Sequence, residues 1–166
     1  MYNLIYSSLK LSIIKMNIIT PIITNTETEK SLREILKKEG YRLSSKKGLN
    51  KLGCDIKAQK DNEDWYIEVI GFEKSNIEIV RDFYEAFFQS VSRLNDKDCK
   101  HIVIAMPEQS RKILPIRAKI YKVAWERISQ VFPELEIWLV DIDNRKYQKT
   151  PWIYWLEKTN DYLKKS

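Results

Sequence analysis

Histidine is almost missing from this sequence, and cysteine and glycine are scarce: one His, two Cys and four Gly in 166 residues. His101 is the single imidazole, and Cys54 and Cys99 form no CxxC pair, so the ligand spacings of a zinc site are lacking. Two unclustered thiols fit a reducing, cytoplasmic setting in which both stay free. With no histidine near it in sequence, Cys54 lacks the base that a cysteine nucleophile needs, and it reads as a small packing residue. His101 opens an apolar run and reads as a structural or edge residue. The scattered glycines make no Gly-rich phosphate loop. No apolar run is long enough to span a bilayer, because Lys10, Lys15 and Pro21 interrupt the apolar N-terminus. No small-residue cleavage site of a secretory signal follows that stretch, which argues against a membrane or secreted assignment. Internal repeats and low-complexity linkers are also absent.

What is present is charge and aromatic bulk. With 31% charged and 11% aromatic residues, the chain is neither disordered nor fibrous, and its length suits one domain with a real core. The net charge of +6 favours an anionic partner. Its distribution is more informative: acids crowd between Asp55 and Glu108, while bases dominate before Gly53 and again from Arg111 to Arg127. An acidic centre between basic arms suits a metal site that receives a polyanion. Ordinary solvated helix faces produce such runs as well.

Residues 1–25 read as a loosely attached arm, with one strand from Ile18 to Ile23 and Met16 as an alternative start; residues 26–166 read as a single domain. Thr26 and Glu29 have the spacing of a capping box, Leu32, Ile35 and Leu36 follow a helical period, and Gly40 ends the helix. Glu29 shares the face of Leu32 and Leu36, whereas Glu34 points away. Tyr41–Ser44 is a short strand, followed by a basic loop with Lys46, Lys47 and Lys51. A long helix is predicted from Ile77 to Asn95, with Val80, Phe83, Tyr84, Phe87, Phe88, Val91 and Leu94 as its apolar stripe. Arg81, Glu85, Gln89 and Arg93 form a polar ridge on another face. His101–Met106 is a buried strand, parallel to the one before the helix. Pro115 starts a helix to Phe132, with Ile116, Ile120, Val123 and Val131 inward and Arg117, Lys119, Lys122 and Arg127 outward. Leu135–Asp141 is a last strand. Thr150 caps a terminal helix that starts at Pro151 and buries Trp152, Trp155 and Leu156. The fold class is therefore α/β, a single mixed sheet with helices on both faces. Its αβββαβ core is followed by an added helix, a strand and a C-terminal helix.

Within this order lie two acids in unusual places. Gly53–Gln59 and Trp65–Gly71 read as paired strands, with Asp61 to Asp64 supplying the turn. Asp55 opens the first. Glu68 sits inside the apolar run of the second, where a carboxylate is costly unless paired, hydrogen-bonded or bound to a cation. Strand pairing brings the two carboxylates to one point, and such a pair suits Mg²⁺. Lys57, two residues after Asp55, shares its side of the strand.

This arrangement resembles the PD-(D/E)XK nuclease superfamily, whose pattern is an acid opening one strand and acid-x-Lys on the next. Asp55 matches the first acid, and Glu68-Val69-Ile70-Gly71 lies where acid-x-Lys is expected, with Ile70 in the place of the lysine. The resemblance spans about residues 26–141 and implies a helix–three strands–helix–strand core. It implies Mg²⁺ or Mn²⁺ held by Asp55 and Glu68, with Glu29 of the first helix assisting. It also implies an active-site role for Gln89 on the second helix. Lys57, and more weakly Lys74, are the candidates to replace the missing lysine. Lys46, Lys47, Lys51 and Arg93 are candidates to contact nucleic acid.

Two functions follow as expectations. One is a metal-dependent nuclease that hydrolyses phosphodiester bonds in DNA. The other is a catalytically inactive nuclease-fold module that binds nucleic acid or a protein partner, which Ile70 favours. A third reading makes both acids structural, one a turn cap and the other paired to a buried arginine. A homodimer is compatible with either function, but no residue pattern specifies one.

Overall fold

The computed structural model describes residues 22–44, 53–72, 76–95 and 99–158. Lys46, Lys47, Lys51, Lys74 and the arm up to residue 21 lie outside the described residues. The elements run α1 (Asn25–Lys38), β1 (Arg42–Leu43), β2 (Ile56–Lys60), β3 (Glu63–Val69), α2 (Asn76–Ser92), β4 (His101–Pro107), α3 (Leu114–Ile120), α4 (Lys122–Val131), β5 (Leu135–Asp141), β6 (Lys146–Pro151) and α5 (Tyr154–Glu157). Short 3₁₀ turns at Arg93–Asn95 and Glu108–Lys112 extend α2 and follow β4. Among the described residues the strands form one open mixed sheet in sequential order. β3–β4 and β4–β5 are parallel, and the other neighbours are antiparallel. The expected α/β class and its αβββαβ order hold.

Alternation along the strands makes two cores. Ile56 and Ala58 of β2, Ile67 and Val69 of β3, and Val103 and Val140 face α1, packing with Leu32, Ile35 and Leu36. Ile102, Ile104, Met106, Ile137 and Leu139 face the opposite side, under α2 to α5, with Phe83, Ala86, Trp125, Trp152 and Trp155. The Trp125 and Trp152 rings stack at 4.0 Å, and each indole N–H donates to the other's backbone carbonyl. Both buried indole donors are thereby satisfied.

The local chemistry of the elements departs from the sequence reading in several places. The capping box belongs to Thr24 and Glu27, not to Thr26 and Glu29: Glu27 N–H donates to Thr24 Oγ1, and Thr24 N–H donates to Glu27 Oε2. Ile23 bridges Phe72 in an isolated antiparallel pair, so the chain is tied to the sheet just before α1. The β2–β3 turn is only Asp61-Asn62, both with left-handed φ of 52° and 62°, the conformation of a two-residue hairpin. The helix expected from Pro115 to Phe132 is two helices, broken at Tyr121. That break rotates the faces. Leu114, Arg117 and Ala118 are buried, whereas Ile120, Val123 and Val131 are exposed. On α2 the buried set is Ile79, Phe83, Ala86 and Ser90, while Tyr84 and Phe88 point outward.

β6 replaces the expected start of the terminal helix. Thr150 is not a cap: its hydroxyl donates to Ile137 O across the sheet and accepts from Trp155 Nε1. This polar strand docks through Lys149, whose ammonium lies 4.5–5.7 Å from the ring centres of Trp138, Trp65, Tyr41 and Tyr147 and donates to Tyr41 Oη. No helix among the described residues is long and apolar enough to cross a membrane.

Candidate active site

The face of β2 and β3 turned away from α1 carries Lys57, Tyr66, Glu68 and Ile70. Ile56 and Ala58 point to α1, so Lys57 points the other way; Trp65, Ile67 and Val69 do the same for Tyr66, Glu68 and Ile70. Asp55 stands one residue before β2, and its Oδ2 accepts the Val69 N–H at 2.8 Å. That bond brings the Asp55 carboxylate to the β3 backbone beside Glu68. β3 is antiparallel to β2 and parallel to β4, so the two acids lie where the sheet changes its sense.

Glu68 is 1% exposed. Its Oε1 accepts from Arg93 Nη2 at 3.0 Å and from Nε at 3.3 Å. Arg93 begins the turn that ends α2, and its side chain keeps 22% exposure. The arginine expected to touch phosphate is thus an ion-pair partner of the buried acid, as in the third reading. Ile70 is buried in the core with Phe83 and Ala86, and its N–H extends the β3–β4 ladder to Ala105 O. The place of the motif lysine holds an apolar side chain.

Lys57 shares the face of Asp55, as the two-residue spacing predicts, but its ammonium turns along the sheet. It donates to Tyr66 Oη at 2.8 Å and pairs with Asp64 Oδ2 at 2.9 Å. The hydrogen bond to Tyr66, seconded by Asp64, raises its pKa above the ordinary lysine range. Gln89 is exposed and donates to Glu85 Oε1 at 3.0 Å. It belongs to the surface ladder of α2 and reaches neither carboxylate through that bond.

Arg33 was not singled out from the sequence, yet it organises the edge of this site. It is 7% exposed and spreads its fork over three acceptors. Nε donates to Glu29 Oε1 at 2.6 Å, Nη1 to Ser44 O at 2.9 Å and Nη2 to Asp55 O at 2.6 Å. Glu29 therefore meets Asp55 through Arg33. The Glu29–Arg33 spacing of four was the available signal, because acid and base at that distance share a helix face. His101 is structural, stacked 4.6 Å from Trp65 with Nε2 at 3.2 Å from Glu63, and it lies on the interior strand β4 rather than at an edge. Cys54 is buried beside Asp55, and Cys99 is half-buried.

The donor chemistry fits a hard divalent cation in kind and number, since Mg²⁺ typically takes one or two carboxylates and keeps several waters. Among the described residues no three His, Cys, Asp or Glu side chains cluster as a larger ligand set. Asp55 and Glu68 are accordingly the protein ligands such a cation would use. No protein-family model and no curated protein sequence matches the chain.

Proposed function

We propose that this chain is a nuclease-like protein that acts on DNA, with Asp55 and Glu68 as ligands for Mg²⁺ or Mn²⁺. The observation that carries the reading is the Asp55–Val69 hydrogen bond, which holds one carboxylate against the neighbouring strand at the residue after a second, buried one. A buried acid in an apolar strand is costly to keep, and a hydrolytic site gives it a use. A divalent cation bound there supplies Lewis-acid polarisation of a phosphate and a more acidic water.

The chain's own residues divide the remaining work. Arg93 already stands at Glu68, and its planar fork matches two phosphate oxygens. It is better placed than Lys57 to supply the positive charge that the absent lysine leaves open. Lys57, held between Tyr66 and Asp64, stays protonated and adds a fixed positive potential on the same face. Arg33 fixes the main chain at Asp55 and so the position of its carboxylate. Ile70 keeps water out on the core side.

The test is plasmid nicking with Mg²⁺ or Mn²⁺ by wild type and by Asp55→Ala, Glu68→Ala, Arg93→Ala and Lys57→Ala. Nicking should vanish in the first two variants. It should fall about 10²–10³-fold in Arg93→Ala, as for loss of a stabiliser of transition-state charge, and survive in Lys57→Ala. Activity that persists in Glu68→Ala would contradict the assignment. Replacing Lys46, Lys47 and Lys51 together should weaken DNA binding alike for all sequences and flatten its salt dependence.

A second reading, a catalytically inactive nuclease-fold module that binds DNA, is favoured by one observation: Arg93 already neutralises Glu68 while Ile70 fills the lysine's place with an apolar side chain. It requires salt-dependent DNA binding by wild type without nicking at any metal concentration. Weak cleavage would then appear only in Ile70→Lys.

A further inference from the structure

One face of the molecule turns apolar side chains outward. On α2, Tyr84 and Phe88 lie one turn apart and are 40% and 70% exposed. Where α3 meets α4, Ile120, Tyr121 and Val123 are 44%, 45% and 61% exposed. The two groups adjoin, since the Tyr84 and Tyr121 rings are 6.4 Å apart edge to face. Phe88 packs on Phe87, which in turn meets Phe132 at the end of α4. Scattered exposed valines need no explanation, but a contiguous apolar seam does.

Arg117 lies beneath this seam. It is only 8% exposed, with its guanidinium 5.1 Å from the centre of the Phe83 ring. Its guanidinium forms no ion pair or hydrogen bond with the described residues, whereas Arg33, equally buried, has three acceptors. Burial lowers its pKa, and the neighbouring Tyr84 and Tyr121 act in the opposite sense. Such a group is costly to bury without a carboxylate nearby.

The flanks of the seam carry opposite signs. α2 bears Glu78, Asp82 and Glu85, with Arg81 turned to Asp82. At 100° per residue Glu78 and Glu85 fall on the side of Phe88 away from α4. α3 and α4 bear Lys119, Lys122 and Arg127, all exposed, with Glu126 the one acid among them.

We propose that this face docks a second copy of the chain, so that the acidic flank of each copy meets the basic flank of the other across the apolar seam. A two-fold axis along the seam exchanges the flanks, which makes an acid–apolar–base band complementary to itself. It also brings carboxylates towards α3, whose Arg117 has no ion-pair partner among the described residues. Nucleic acid fits this face poorly, because half of the band is acidic.

The experiment is sedimentation velocity of the full chain over a range of concentrations. Wild type should dimerise. Phe88→Glu should raise the dimer Kd by at least about tenfold, since a largely exposed aromatic becomes a buried anchor on docking. Glu78→Lys/Glu85→Lys and Lys119→Glu/Lys122→Glu should each be monomeric where wild type is dimeric, yet form a heterodimer when mixed, because reversal on both sides restores both contacts. All these positions are exposed, and circular dichroism with a thermal melt checks that each variant is folded. Wild type that stays monomeric at millimolar concentration overturns the proposal. So does a dimer indifferent to Phe88→Glu, or a pair of charge-reversed variants that fail to recombine.

Discussion

Arg93 Nη2 lies 3.0 Å from Glu68 Oε1, and the pair joins the end of α2 to the C-terminal end of β3 across 25 positions of sequence. Glu68 is 2% exposed at its side chain and Arg93 22%, so solvent screens the pair from one side only. Removing Arg93 leaves the acid short of its charge partner in a dry place. Arg93→Ala should therefore cost about 1–3 kcal/mol, less than for a fully buried pair because of that partial exposure. The double variant Glu68→Leu/Arg93→Leu should recover most of the loss, since apolar residues of similar volume can replace a buried pair at little cost. Urea denaturation of the three proteins checks this. A double variant as unstable as Arg93→Ala would mean that Glu68 is needed for more than this pairing.

Arg33 gives the second prediction. Its guanidinium holds Glu29, Ser44 O and Asp55 O together, and residues 45–54 connect the last two. Both ends of the segment that carries Lys46, Lys47 and Lys51 are therefore clamped by one side chain from α1. Arg33→Met should destabilise by about 2–4 kcal/mol, because charge-assisted bonds are lost and two carbonyls are left unsatisfied. Arg33→Lys should recover little, since an ammonium cannot reproduce the planar fork. Denaturation midpoints decide it, and full rescue by lysine would sink the clamp.

The sequence carried the order of elements well because each core strand and helix has its own periodic signal. His101–Pro107 and Leu135–Asp141 are apolar on both faces, as buried parallel strands must be. Where it misled, the signal was ambiguous or lay elsewhere. The stripe read on α2 was wide enough to include Tyr84 and Phe88; Ala86 and Ser90, small residues that let the helix approach β4, mark the true inner face. β6 was missed because an edge strand such as KYQKTP buries only Thr150 fully and so shows no apolar alternation. The positions of Asp55, Glu68 and Lys57 on one face were legible from strand parity. Their partners were not: Arg93 and Arg33 reach them across 25 and 22 residues, and no local pattern encodes such pairings.

Gly71 yields the third prediction. Its backbone passes so close to the start of α1 that a Cβ there would lie 2.5 Å from Ile23 O and 2.8 Å from Asn25 N. Both are main-chain atoms with no flexible end to swing aside. The crossing is held by Phe72 N–H to Ile23 O at 2.6 Å and Ile23 N–H to Phe72 O at 3.1 Å. Gly71→Ala should push these segments apart and weaken both bonds, at a cost of about 1–3 kcal/mol. A clear fall in Tm should be seen in a thermal melt, and an unchanged Tm would show that the backbone shifts freely there.

The capping box of α1 makes the last prediction, and it depends on pH. Glu27 Oε2 accepts from the Thr24 N–H and hydroxyl, each at 2.8 Å. The backbone bond first, and then the hydroxyl, hold its carboxyl below the ordinary glutamate range. A group whose folded pKa is depressed binds fewer protons folded than unfolded, so its contribution is present above the unfolded pKa of about 4.3 and fades as pH falls through the folded value. Glu27→Gln keeps the shape but loses the charge, both as a strong acceptor and as an anion at the positive end of the helix. At pH 7 the variant should therefore melt below wild type, and the gap should close as the pH is lowered through the range in which Glu27 titrates. Thr24→Ala should lower the melt at pH 7 as well, because it removes the acceptor for the Glu27 N–H at 3.2 Å. Melts of the three proteins from pH 7 downwards give the measurement. A Glu27→Gln gap that stays constant to the lowest pH would show that shape, and not charge, is what Glu27 contributes.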